Sequence, residues 1–291
     1  MKAIIFGISG QDGYYLSSIL QAANIEVIGV SRRKDYGIQG NVGDYAFVAE
    51  LIKQHQPDYI FHLAANSVTV HHVQFENHET ISTGTLNILE VVYKHSPATK
   101  VFLSGSAVQF QNNNAPINEQ TPFAALSAYA VARIQSVYAA RYYKSLGIKA
   151  YVGYFFNHDS PLRHEKHINK QIVDAVLRMQ QGSDEVMEIG NWNVKKEFNY
   201  ARDCMQAIWT LVNQESVFEA VIGSGQAYTI RQWIEICCNE AGIPLAVNQF
   251  VQSEKFKAEY KILVSNPALI KSLGWKPEVD IKELAKMMLK K

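Results

Sequence analysis

Through the first two-thirds of the chain, short apolar runs alternate with longer segments whose apolar residues recur every three or four positions. The runs at residues 3–6, 27–30, 59–62, 100–103 and 150–154 have strand length and are apolar at successive positions, as strands covered on both faces require. Between them, residues 14–23, 46–54, 80–94 and 128–146 carry the spacing of amphipathic helices. This alternation predicts repeated βαβ units: an α/β fold with a doubly wound parallel sheet. After Asn157 the alternation weakens. A polar stretch at 157–170 leads into a helix near 172–181, and from Thr229 onward helices are mixed with a strand near 261–264. The pattern predicts a larger domain over 1–156, with a returning segment at about 199–224, and a smaller lobe made of 157–198 and 225–291.

Charge narrows the partners. Twenty-eight basic and 27 acidic residues leave a formal charge of +1, so no global field draws the chain to nucleic acid or to an anionic membrane, and any phosphate must be held locally. Cys204, Cys237 and Cys238 cannot form a disulfide framework, which predicts a reducing compartment. No charged-then-apolar leader precedes the first strand and no run of about 18 apolar residues occurs. The expectation is a cytoplasmic protein. The scattered histidines, including His71-His72, lack metal-ligand spacing, and no metal is expected.

The string Gly7-Ile8-Ser9-Gly10-Gln11-Asp12-Gly13 follows the first strand directly and opens the first helix. Position gives it meaning, because a tight turn there brings backbone N–H groups and the positive end of a helix dipole to a pyrophosphate. The second strand ends Val30-Ser31-Arg32-Arg33, where an NAD enzyme typically places a carboxylate on the ribose diol. Two arginines suit a 2′-phosphate instead. The sequence therefore favours NADP(H), with a solvated basic loop as the plainer alternative.

Ser106 follows the fourth strand, and Ser127-Ala128-Tyr129-Ala130-Val131-Ala132-Arg133 opens the helix beyond it. Tyr129 and Arg133, at i and i+4, share one helical face. A cation beside a phenol eases its ionisation, and a nearby serine hydroxyl can bind the same substrate oxygen, so that a proton moves while a nicotinamide moves hydride. A tyrosine and an arginine so spaced usually form only a helix face. Behind a dinucleotide loop they become the catalytic candidates, with Ser106.

With these motifs the chain resembles the GDP-mannose 4,6-dehydratase family of extended short-chain dehydrogenases, nearly end to end. The resemblance is carried by the glycine loop, the Arg32-Arg33 turn, Leu63-Ala64-Ala65-Asn66-Ser67 and Phe156-Asn157-His158-Asp159-Ser160-Pro161-Leu162-Arg163. Ile189-Gly190-Asn191, Ala201-Arg202-Asp203 and Leu273-Gly274-Trp275-Lys276-Pro277 fit as well. It implies an NADP-binding Rossmann domain and a nucleotide-sugar lobe, with chemistry beginning at C4 of the hexose. By resemblance, Leu63 to Ser67, His158 and Arg163 line the cofactor, and Asn41 and Val42 stand where an Asp-Leu pair lies near the adenine. Asn157 faces the sugar, and Lys170, Lys196 and Glu259 bind the GDP-linked substrate.

The departures are informative. Where the family reads Thr-Ser-Glu, this chain has Ser106-Ala107-Val108, so the glutamate that removes the C5 proton and helps expel water at C6 is replaced by an apolar side chain. Arg133 replaces the lysine of Tyr-x-x-x-Lys. Phe256 stands where a nucleotide-binding arginine is expected, and Lys196-Glu197-Phe198 replaces Arg-Asp-Trp. The segment after Arg33 is shortened, which favours a homodimer over a tetramer, through the helices near 80–94 and 128–146. The expected function is reduction of a 4-keto nucleotide sugar of the GDP-4-keto-6-deoxyhexose or heptose type. A 4,6-dehydratase or 4-epimerase, and a non-catalytic NADP-binding homologue, are the alternatives.

Overall fold

The computed structural model describes residues 1–66, 71–244, 249–253 and 260–290. Strand β1 (Lys2–Phe6) lies inside a seven-stranded parallel sheet, between β2 (Glu26–Ser31) and β4 (Tyr59–His62). Past β2 the sheet ends at the two-residue β3 (Ile38–Gln39). Past β4 it continues through β5 (Lys100–Ser106), β6 (Ala150–Phe155) and β11 (Glu219–Ile222). The chain winds outward from β1 in one direction and then from β4 in the other. A crevice therefore opens between β1 and β4 at the carboxyl ends of the strands, where ligands bind in sheets of this type.

Alternate residues of each strand serve two separate cores. Ala3, Ile5, Phe61, Phe102 and Tyr151 pack with helices α1 (Gln11–Ala22) and α7 (Ala201–Val212). Ile4, Phe6, Ile60, Leu103 and Val152 pack with α2 (Tyr45–His55), α4 (Gly84–His95) and α5 (Ala128–Ser145). Cover on both faces is why these strands read as unbroken apolar runs. Asp44 caps α2 through the N–H groups of Ala46 and Phe47, and Ser127 caps α5 through Ala130 N–H.

The helix expected from residue 80 starts earlier. Helical backbone begins with a 3₁₀ turn at His71–Val73, continues as α3 (Gln74–Asn77) and passes through a π-helical stretch, His78–Thr83, into α4. His62 reaches this stretch from β4, its Nε2 donating to the Thr80 carbonyl at 3.0 Å, and such insertion accompanies widened turns.

After β6, a short pair of β7 (His158–Asp159) and β10 (Asn199–Tyr200) leads into the lobe. There β9 (Lys195–Glu197) pairs with β12 (Ala227–Thr229) and β14 (Ile262–Leu263), and β8 (Met187–Ile189) with β13 (Phe250–Gln252). Helices α6 (Ile168–Gln180), α8 (Ile230–Glu240), α9 (Ala268–Ser272) and α10 (Ile281–Leu289) complete the chain. The fully buried Glu197 is satisfied by the N–H and hydroxyl of Ser265, both at 2.6 Å, by Ser224 N–H at 2.7 Å and by Asn199 Nδ2 at 3.0 Å. A buried carboxylate persists only with such donors. Asp203 accepts the N–H groups of Glu278 and Val279, both at 2.9 Å, and its carbonyl receives Trp275 Nε1 at 2.8 Å, fastening the final segment to α7. At the sheet edge, Glu219 of β11 holds Arg141 at 2.7 Å and the Tyr154 hydroxyl at 2.6 Å. The three cysteines are free and buried. Among the described residues no helix is long and apolar enough to cross a membrane, and no cluster of His, Cys, Asp and Glu is disposed to hold a metal.

Candidate functional site

Where β1 meets α1 the backbone is fixed by close approach. Gly7 has φ +97°, and a Cβ there would stand 2.7 Å from Ala64 N; a Cβ on Gly13 would stand 2.5 Å from the Gly7 carbonyl oxygen. Only glycine fits either position. The N-cap of α1 is Gly10, which offers no side-chain oxygen to the helix's first N–H groups, so these suit an external anion. Asp12 and His158 close the loop from the side. Both nitrogens of His158 face acceptors, Nδ1 the Phe156 carbonyl at 2.9 Å and Nε2 the Asp12 carboxylate at 3.1 Å. Burial disfavours the charged imidazolium, but Asp12 outweighs it and raises the His158 pKa, while His158 in turn outweighs burial and lowers that of Asp12.

The catalytic candidates form a buried network at the other side of the crevice. Tyr129 is 7% and Arg133 5% exposed. Arg133 Nε donates to the Tyr129 hydroxyl oxygen at 3.1 Å, and Nη1 donates to Ser104 Oγ at 2.7 Å and to the Ser104 carbonyl. Ser104 Oγ donates onward to the His62 carbonyl at 3.0 Å. Because Arg133 occupies an acceptor position on the phenol oxygen, the phenol's own hydrogen is directed elsewhere. Ser106 ends β5, its N–H held by Gln109 Oε1 at 2.8 Å.

The glycine loop, the Asp12–His158 pair, the Tyr129–Arg133–Ser104 network and Ser106 border one cleft of about 1220 Å³. That exceeds the ≈ 300–1,000 Å³ of a pocket for one small ligand and suits two ligands side by side. Its lining gathers Gly7, Ser9, Gly10, Gln11, Asp12, Arg32, Arg33, Asn41, Val42, Leu63, Ala64, Ala65, Asn66, Ser106, Tyr129, Arg133, Asn157, His158, Arg163 and Lys196.

The sequence model of the family described as GDP-mannose 4,6 dehydratase matches residues 4–288. The chain belongs to that family. It is an enzyme of the extended short-chain dehydrogenase/reductase type. GDP-mannose 4,6 dehydratase 1 of Arabidopsis thaliana is 28% identical over 320 residues, covering 99% of this chain and 88% of that protein. GDP-mannose 4,6-dehydratase of Yersinia enterocolitica is 28% identical over 346 residues, covering 99% and 92%. In fold, the chain is similar to RMD of Pseudomonas aeruginosa complexed with NADPH, with TM-score 0.86, 22% identity and coverage of 99% and 96%. It is also similar to UDP-glucose 4-epimerase of Thermotoga maritima with UDP-glucose, with TM-score 0.88, 20% identity and coverage of 99% and 97%.

Beside Tyr129 the cleft wall is apolar at Val108. Val108 packs against the small cluster of Ile81, Tyr129 and Ala132. Among the described residues lining the cleft, the carboxylates are Asp12, paired with His158, and Glu76, held by Arg32 and Asn66.

The lobe side of the cleft is basic. Lys196 is 7% exposed, and burial, only partly offset by Asp159, lowers its pKa to about 8. Arg163 pairs with Asp159 at 3.2 Å and donates to His167 Nδ1 at 2.9 Å; burial, then Arg163, lowers His167 to about 4, keeping it a neutral acceptor.

Gly13 lies beneath the loop and Lys170 outside the cleft lining, the latter bound to Asp174 one turn on in α6. Ser67, Phe256 and Glu259 lie outside the described residues. Sequence reasoning missed Ser104, His62, Gln109 and Glu76. Ser104 alone had a signal, its place beside Ser106 at a strand's carboxyl end.

Proposed function

We propose that this chain is an NADP(H)-dependent oxidoreductase that reduces a 4-keto nucleotide sugar, of the GDP-4-keto-6-deoxyhexose or heptose type. The observation carrying the reading is Val108 beside an intact Tyr129–Arg133–Ser104 network. Reduction at C4 needs the tyrosine and none of the C5 and C6 proton transfers that a glutamate performs.

The glycine cradle fits a dinucleotide pyrophosphate, and Arg32 and Arg33 fit a 2′-phosphate. RMD binds NADPH, and the wider fold group includes proteins bound to NAD. When bound, the reduced nicotinamide supplies hydride to C4. Tyr129 donates its proton to the carbonyl oxygen, and Ser106 orients that oxygen. Arg133 holds the Tyr129 oxygen by Nε, sets the phenol as donor and stabilises the phenolate left behind. Lys196 holds the diphosphate of the substrate, Asn157 faces its sugar, and Arg163 lines the cofactor with His158.

The 1–156 domain with its returning segment is assigned to the cofactor, and the lobe to the substrate. A homodimer in the reducing cytoplasm completes the reading. It would form through α4 and α5, where Leu86, Tyr93, Tyr138 and Tyr142 are exposed.

The test is NADPH oxidation with GDP-4-keto-6-deoxymannose, generated in place by a separate dehydratase, with GDP-mannose as control. Consumption only with the keto sugar is expected, and turnover should vanish in Tyr129→Phe; an active Phe variant overturns the assignment. Val108→Glu should not raise reductase turnover. The family match over residues 4–288 favours 4,6-dehydration as a second reading. Conversion of GDP-mannose without added NADPH would select it.

A further inference from the structure

The cleft holds one ion pair that the proposed reaction does not use. Arg32, in the turn after β2, donates Nη2 to Glu76 Oε1 at 3.0 Å, and the other carboxylate oxygen of Glu76 receives Asn66 Nδ2 at 3.2 Å. One turn further along the helix, Glu79 Oε1 receives Asn41 Nδ2 at 3.0 Å. A single helical strap thus sets two carboxylates on the loops after β2, β3 and β4. Arg32, Asn41, Asn66 and Glu76 all line the cleft.

We infer that Glu76 is a specificity-determining residue that sets how strongly the site prefers a 2′-phosphorylated dinucleotide over its unphosphorylated counterpart. This rests on the nicotinamide-dinucleotide reading above. Arginine at the end of β2 is chemistry for a phosphate dianion, whereas a carboxylate is chemistry for a ribose diol. This chain places one against the other. A carboxylate accepts at about four lone-pair positions, and Arg32 and Asn66 take one on each oxygen, so Glu76 can accept from ribose hydroxyls without releasing Arg32. A 2′-phosphate makes the opposite demand. It competes with Glu76 for the guanidinium, and the displaced carboxylate stays close to a dianion. Glu76 therefore works as an internal counter-anion that holds back the preference Arg32 and Arg33 would otherwise impose.

The magnitude follows from charge and distance. A unit charge about 6 Å from a phosphate dianion in a largely aqueous setting changes affinity by about tenfold. Both partners are substantially exposed, at 64% for Arg32 and 37% for Glu76, so added salt should shrink the effect.

The test is direct binding of NADPH and of NADH to the full chain, by nicotinamide fluorescence at low and high salt, in wild type, Glu76→Gln and Glu79→Gln. Glutamine keeps the shape and can still accept from Asn66, but carries no charge. The NADH-to-NADPH Kd ratio should rise about tenfold in Glu76→Gln at low salt, and by less at high salt. In Glu79→Gln, where the partner is neutral, it should stay within about twofold of wild type. An unchanged ratio in Glu76→Gln, with wild type binding NADPH, overturns the role of Glu76 and leaves the cofactor reading standing. Equal weakening of both dinucleotides in a variant with the wild-type melting temperature also overturns it. Failure of wild type to bind either dinucleotide is a different result: it removes the cofactor reading itself.

Discussion

Acidification should weaken this fold through His62. Its imidazole is 1% exposed at the carboxyl end of β4, and its Nε2 donates to the Thr80 carbonyl. Burial, and then the nearby Arg133 charge, depress its pKa from 6.5 to about 4. Between those values the unfolded chain takes up a proton that the native protein refuses. Unfolding free energy therefore falls as pH drops from 6.5 to 4, and this contribution levels off below. At about 1.4 kcal/mol per pKa unit, the loss is about 3 kcal/mol. The assay is urea unfolding from pH 8 to 4 for wild type and His62→Gln, whose amide can keep the bond to Thr80 but does not titrate. Carboxylates that protonate in the same range are common to both proteins and cancel in the difference. Wild type should lose about 3 kcal/mol more than the variant across the interval, with a constant offset above pH 7. Parallel profiles would refute the reasoning, because an imidazole that ionises in place at its ordinary pKa contributes no such slope.

Three further outcomes are expected. Gly13→Ala drives a methyl group into the Gly7 carbonyl and the Ile8 backbone, and should weaken NADPH binding at least tenfold in a titration while the lobe's core is untouched. Arg133→Leu removes the donor to Tyr129 and should cut turnover by about 10²–10⁴-fold, with Arg133→Lys falling between it and wild type in steady-state assays. Phe102→Ala opens a cavity at a fully buried position under the sheet and should cost about 3–5 kcal/mol in chemical denaturation.

The parallel sheet was legible because its strands are covered on both faces, which writes them as apolar runs such as Ala3-Ile4-Ile5-Phe6. The glycine loop was legible for a related reason: a site that excludes a Cβ leaves few residues to choose from. Tyr129 and Arg133 declared themselves through helical spacing. What the sequence did not reveal depends on approach between distant segments. The two-residue β3 has no pattern to detect, and the π-helical stretch at 78–83 follows from His62 reaching across from β4. Arg32 and Glu76 meet over an interval that no periodicity spans, so their pairing appears only once three loops converge. Ser104 is a polar residue inside an apolar strand, and its role depends on Arg133 arriving from α5.

The late return of β11 bears on how the chain is made. Six strands of the main sheet are complete at Phe155, yet β6, buried along its whole length in the finished protein, gains its outer neighbour only when residues 219–222 arrive. A ribosome adding about 5–20 residues per second leaves that edge unpaired for several seconds, an open template for another nascent chain. Glu219, the first residue of β11, ends the interval by engaging Arg141 of α5 and Tyr154 of β6 together. Biogenesis therefore has its vulnerable moment at the sheet edge farthest from the glycine loop, and truncations ending between residues 157 and 198, before β11, should aggregate where the full chain stays dispersed.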